Sequence, residues 1–149
     1  MRGYFEIVIY QPKFIVNLRT LVRSFGNCGG AFLCTVGQRY ERATGDTQYT
    51  IRNVPGFHFP DLSSCLSALP ANALIVRVEV GGSLSLPMFR HPERAIYVFG
   101  GEDRSVPEIE GAVNVQIPTQ HCLNLSVAAS LVMYDRVLKG QTIAGVKTA

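Results

Sequence analysis

Short stretches of nearly unbroken apolar residues, separated by segments with helical spacing, set the tightest limit on how this chain folds. The run from Phe5 to Tyr10 is mostly β-branched or aromatic and stops at Gln11-Pro12. Ala31 to Val36, Leu74 to Val80, Ala95 to Phe99 and Val113 to Ile117 repeat the pattern. Between the first two, Ile15, Leu18, Leu21, Val22 and Phe25 recur on one helix face, and Gly26 supplies a stop. Strands that are apolar along their whole length suit a parallel sheet buried on both faces. The expected fold class is therefore α/β. Asp61 is placed to cap a short helix to about Leu69, and Pro107 to open another. A last helix is expected from about Leu123 to Leu138. Residues 37–60, interrupted by Gly37, Gly45, Pro55, Gly56 and Pro60, read as polar and irregular. The division expected is one domain over residues 1–140 and a loose tail over 141–149.

Composition narrows the function classes. A chain of 149 residues, 47% of them hydrophobic, fits a single packed domain rather than a disordered one. Its formal charge of +3 is compatible with a nucleic-acid partner only if the basic residues cluster. Cys28, Cys34, Cys65 and Cys122 form no CxxC pair, so no metal site is expected, and unpaired thiols suit a reducing cytoplasm. No run reaches the roughly 18 apolar residues of a membrane span. The N-terminal segment reads as a strand rather than a signal peptide.

Three stretches carry chemistry. On the first helix, which also carries Asn17, Arg19 and Arg23 stand four residues apart on one face, an arrangement that a phosphate would relieve of its like-charge repulsion. Next, the strand Tyr97-Val98-Phe99 runs straight into Gly100-Gly101-Glu102, and glycine allows a ligand close to the backbone. This is not the dinucleotide GxGxxG pattern, because the later glycines are missing. The third stretch is Ile117-Pro118, a short polar loop, then Cys122-Leu123-Asn124-Leu125-Ser126-Val127-Ala128, with Asn124 or Ser126 as a helix cap. Each stretch alone has an ordinary explanation: a solvated basic face, a strand-to-loop turn, a cap. The final helix is apolar nearly all round, which in so small a chain suggests that a second subunit covers it. Arg39, Arg42 and Arg52, with Tyr40 and Tyr49, fall in the polar insert, where arginine and aromatic rings suit single-stranded RNA as well as plain solvation.

Together and in this order the three stretches resemble the three motifs of the SpoU/TrmH branch of the SPOUT methyltransferases. Asn17 and Arg23 match an asparagine with an arginine six residues on. Gly100, Gly101 and Glu102 match a strand followed by Gly-x-Glu. Ile117-Pro118 and the run from Leu123 to Ala128 match the third and most specific motif. The resemblance covers about residues 5–138. Length and the Ile7-Val8-Ile9-Tyr10-Gln11-Pro12 opening look most like the small single-domain members that methylate the tRNA wobble ribose.

The resemblance implies a Rossmann-like, mostly parallel sheet whose C-terminal part is tied in a deep trefoil knot. It implies S-adenosyl-L-methionine held largely by backbone groups around Val78, Gly100, Ile117, Cys122 and Leu123. Arg23, Asn17, Glu102 and Asn124 would form the active site of an RNA ribose-2′-O-methyltransferase. The implied partners are RNA (tRNA before rRNA) and a second copy of the chain in a homodimer; no metal is required. Arg23 would stabilise charge developing on the 2′-hydroxyl oxygen, with the proton acceptor left open between it and phosphate. Two positions depart from the family pattern: Ser105 stands where glycine is usual, and Cys122 where serine opens the third motif. They keep open a second reading, a SPOUT-fold RNA-binding protein with weak or absent catalysis. An unrelated nucleotide-binding α/β protein is a third.

Overall fold

The computed structural model describes residues 3–37 and 54–140. In chain order the elements are β1 (Tyr4–Tyr10), α1 (Ile15–Asn27), β2 (Leu33–Val36), β3 (Gly56–Phe59), α2 (Leu62–Ala68), β4 (Leu74–Val78), β5 (Leu84–Ser85), a 3₁₀ turn (Leu86–Met88), β6 (Arg94–Gly100), β7 (Val113–Gln116) and α3 (Leu125–Leu138). The strands form one sheet in the order β3-β2-β1-β6-β4-β7-β5, and every pair is parallel. This is the expected Rossmann-like α/β arrangement. No described helix is long and apolar enough to cross a membrane.

Alternation along β1 explains why its sequence is apolar at every position between Tyr4 and Tyr10 but Glu6. Phe5, Ile7 and Ile9 point to one side, where Tyr97, Phe99, Val76 and Val115 meet Leu21 and Phe25 of α1 and Ala129, Val132 and Met133 of α3. Val8 points to the other, where Cys34, Val36, Ile96 and Val98 pack around Cys65 of α2. Glu6 shares that second side by the same alternation, fully buried, and neither carboxylate oxygen has a hydrogen-bond partner among the described residues. Burial pushes its pKa up to about 7.

The irregular stretch 37–60 needs correction: Gly56–Phe59 is an edge strand, parallel to β2. Pro55 and Pro60 bracket it, which is why so short a run reads as a loop. The helix expected at Pro107 does not form; residues 107–112 are loop and turn. The Val106 backbone is instead held by Arg77 of β4, which donates to its carbonyl, and by Glu79 just beyond β4, which accepts its N–H. Asp61 does cap α2, its Oδ1 accepting the Ser64 N–H at 2.7 Å. Residues 38–53, with the basic insert, and the tail 141–149 lie outside the described residues.

A buried polar clamp fixes the far end of α3. His91 bridges Asp135 of α3 (Nε2 to Oδ2, 2.8 Å) and the Tyr97 hydroxyl of β6. Arg136 donates to the carbonyls of Pro92 and Glu93. With that end anchored, the N-terminus of α3 is held beside the carboxyl ends of the strands.

Candidate active site

In a parallel sheet the carboxyl ends of the strands are where ligands gather. Here β4, β6 and β7 end around a cleft of about 250 Å³. Val78, Gly100, Ile117, Cys122 and Leu123, the five positions expected to hold a cofactor, all line it, and so does Glu102. Gly100 has to be glycine, because a Cβ there would stand 2.0 Å from the Arg104 carbonyl oxygen. The loop after β6 therefore folds back onto the end of its own strand. The Gly101 N–H donates to the Tyr10 carbonyl at 2.7 Å, stitching that loop to β1.

Glu102 then meets the start of α1. Its Oε2 accepts the Lys13 N–H at 2.7 Å, and its Oε1 accepts from Phe14 N–H at 3.3 Å and Asn17 Nδ2 at 2.6 Å. Phe14 has no side chain able to cap α1, so a carboxylate from 88 residues away faces its positive end instead. Burial pushes the Glu102 pKa up, but the Asn17 amide and the backbone N–H groups outweigh it and hold it below the ordinary carboxylate value.

From Asn17 the chain of hydrogen bonds continues. Asn17 Oδ1 accepts from Asn124 Nδ2 at 3.0 Å. Asn124 caps α3, its Oδ1 accepting the Ser126 N–H and hydroxyl at 2.9 and 2.7 Å. Three of the four expected catalytic residues thus form one relay from the loop after β6, through α1, to α3. Arg23 is not part of it. It is exposed on α1, and no hydrogen bond or ion pair joins it to another described residue. Arg19 on the same face is half-buried, with its Nε lacking a partner among the described residues. Cys122 and His121 are exposed.

Residue spacing missed two features of the site. One is the pair of backbone donors at Lys13 and Phe14, which no side-chain pattern reveals. The other is Glu79, an acid directly after β4 that lines the same cleft. Its signal was a carboxylate at the end of an apolar strand. Among the described residues no group of His, Cys, Asp and Glu is placed to hold a metal ion.

A family model described as SpoU rRNA Methylase matches residues 4–134. Among solved structures, the chain is similar to a protein described for the 2-OH methylation of C/U34 on tRNA, with 22% identity, TM-score 0.81, and 92% of this chain and 96% of that one covered. It is also similar to an AdoMet-bound rRNA methyltransferase from Sinorhizobium meliloti, with 16% identity, TM-score 0.82, and 95% of this chain but 59% of that one covered. A third is the A. aeolicus TrmH/SpoU tRNA modifying enzyme, with 20% identity, TM-score 0.74, and 93% and 76% covered. At these identities the likeness shows the fold. No curated protein matches the sequence.

Proposed function

The chain belongs to the SpoU rRNA methylase family, and from that premise we propose that it transfers a methyl group from S-adenosyl-L-methionine to a ribose 2′-hydroxyl of RNA, with tRNA as the expected substrate. The observation that carries the reading is the junction of cleft and relay. Glu102 lines the cleft and is also the first member of the Glu102–Asn17–Asn124 chain. The solved relatives support each half: one is AdoMet-bound, and another is described for 2-OH methylation on tRNA.

The cleft suits such a cofactor chemically. Apolar Val78, Phe99, Ile117 and Leu125 would face an adenosyl group, and Glu102 and Asp103 against Arg104 leave a surplus of negative charge for a sulfonium and an ammonium. Val78, Gly100, Ile117, Cys122 and Leu123 would hold it. The cofactor supplies an electrophilic methyl group. The protein's task is to place a hydroxyl in line with that group and stabilise the alkoxide charge that develops. Arg23, exposed and without a partner among the described residues, is available to an RNA phosphate and the attacking oxygen. Asn17 and Asn124, each fixed at both ends, hold α1 and α3 together beside the cleft and would orient the incoming ribose. Glu102 holds α1 to the cofactor loop.

The same reading includes a trefoil knot in the C-terminal part, a homodimer built on α3, and a reducing cytoplasm, which suits four free cysteines. Calorimetric titration of S-adenosylmethionine into the wild type and Arg23→Ala tests the core of it, followed by methyl transfer to tRNA with ribose-specific detection. Saturable binding in both proteins, with transfer lost in Arg23→Ala, is expected. No binding to the wild type at millimolar ligand overturns the reading.

A further inference from the structure

Glu79 sits one residue beyond β4 and lines the cleft. Its backbone N–H donates to the Val115 carbonyl at 3.0 Å, tying it to β7. Its Oε1 accepts the Val106 N–H at 2.5 Å and would stand 3.3 Å from a Cβ on Gly100. The main chain and one carboxylate oxygen are therefore both fixed, while no hydrogen bond from a described residue occupies Oε2. The other acids of the cleft are already engaged. Glu102 uses both oxygens on α1, and Asp103 is ion-paired with Lys13 at 3.5 Å.

We propose that Glu79 binds the ribose diol of the adenosyl cofactor, its two carboxylate oxygens accepting from the 2′- and 3′-hydroxyls, and so makes the cleft selective for ribonucleosides. The assignment rests on the cofactor reading above. A carboxylate is purely an acceptor, and two adjacent hydroxyls are donors that need acceptors once they leave water. The neighbouring lining residues Val78, Phe99 and Ile117 bring no polar side chain that could serve. In dinucleotide-binding parallel sheets, too, a ribose hydroxyl is held by an acidic side chain. Anchoring Oε1 on Val106 leaves Oε2 little freedom, so it discriminates by position more than it adds affinity. A site built to accept a hydroxyl proton rejects the analogue lacking it more strongly than an apolar wall does.

The test titrates four ligands into the full chain by calorimetry: S-adenosylmethionine, S-adenosylhomocysteine, and the 2′-deoxy and 3′-deoxy forms of the latter. Wild type and Glu79→Gln are compared. The glutamine keeps an oxygen for the Val106 N–H but puts an amide donor where Oε2 stood. Matching thermal melts establish that the loop is intact, and Glu79→Ala provides a second variant. Wild type is expected to prefer the full ribose by roughly tenfold or more, and both variants to shrink that preference to about threefold. The ratio of S-adenosylmethionine to S-adenosylhomocysteine affinity stays unchanged. An undiminished ribose preference in both variants overturns the proposal. So does a variant that shifts the sulfonium-to-thioether ratio instead, because the carboxylate then senses charge. Failure of wild type to bind any of the four overturns the cofactor reading itself, and is recognised because it does not depend on Glu79.

Discussion

Asn124 donates from Nδ2 to Asn17 Oδ1 at 3.0 Å, joining the N-terminus of α3 to α1 across 107 residues of chain. The direction of that bond is forced from both ends. Glu102 can only accept, so Asn17 must turn its nitrogen toward it and its oxygen toward Asn124. The α3 N-terminus can only donate, so Asn124 must turn its oxygen toward the helix and its nitrogen toward Asn17. Aspartate in place of Asn17 reverses this logic by setting a carboxylate against Glu102. Asn17→Asp is expected to lose stability progressively as pH rises through the carboxylate range, and Asn17→Ala to lose a smaller amount over the same range, because it removes one donor from Glu102 without adding a charge. Urea unfolding of both at pH 4 and pH 8 checks the contrast.

Removing the cap itself has a separate cost. Asn124→Ala leaves the first N–H groups of α3 unpaired and is expected to destabilise the fold by about 1 kcal/mol, with Asn124→Ser recovering most of it. Methyl transfer should fall in both, because neither side chain reaches Asn17 as asparagine does. Thermal melts beside single-turnover transfer rates separate the two effects.

Glu102 also predicts a pH dependence. Its folded pKa is held below its unfolded value, so the folded state binds this proton less tightly. The stability it contributes is fully present above the unfolded pKa and is lost as pH falls through the folded value. The gap in unfolding free energy between wild type and Glu102→Gln should be widest near neutrality and close in acid. A gap that widens on acidification would show that the carboxylate is not held by these donors.

Glu6 works in the opposite sense. Its pKa is raised to about 7 by burial, so the folded state holds this proton more tightly than the unfolded chain. The fold should be most stable below the ordinary glutamate value of about 4.3 and lose stability up to about pH 7, by roughly 3 kcal/mol in all. Glu6→Met, similar in length and apolar, is expected to abolish that slope and to be more stable than wild type at pH 8. Denaturant unfolding from pH 4 to pH 8 shows either a slope that disappears with Glu6 or one that persists without it.

The strands and long helices were legible because burial on two faces writes itself as continuous apolar runs, and one buried face as the spacing of Leu18, Leu21, Val22 and Phe25. β3 and β5 were not, since an edge strand of four or two residues carries too little pattern to stand apart from a loop. The cleft positions could be named because family motifs fall at strand ends. Glu79 could not, because its role depends on Val106 and Gly100, which sequence order does not bring together. Nor does the asparagine–arginine spacing reveal that Asn17 turns inward to Glu102 while Arg23 stays in solvent. Six residues on a helix rotate a side chain by about 600°, that is, onto another face.

That rotation bears on the assembly. On α3, Val127, Leu131, Tyr134 and Leu138 form an exposed stripe at intervals of four, three and four residues, while Ala129, Val132 and Met133 face the core. A stripe of this length and apolarity beside the relay is the surface expected to pair with a second copy. Leu131→Glu combined with Tyr134→Glu adds two charges there without touching the core. Sedimentation at micromolar concentration should show a dimer for wild type and a monomer with unchanged helicity for the double variant. S-adenosylmethionine binding in the variant then distinguishes two designs. Retained affinity with lost methyl transfer means that the partner completes the RNA site around Arg23. Lost affinity means that pairing holds the cofactor loop itself. A wild type that sediments as a monomer would leave the stripe unpaired in solution and sink the dimer.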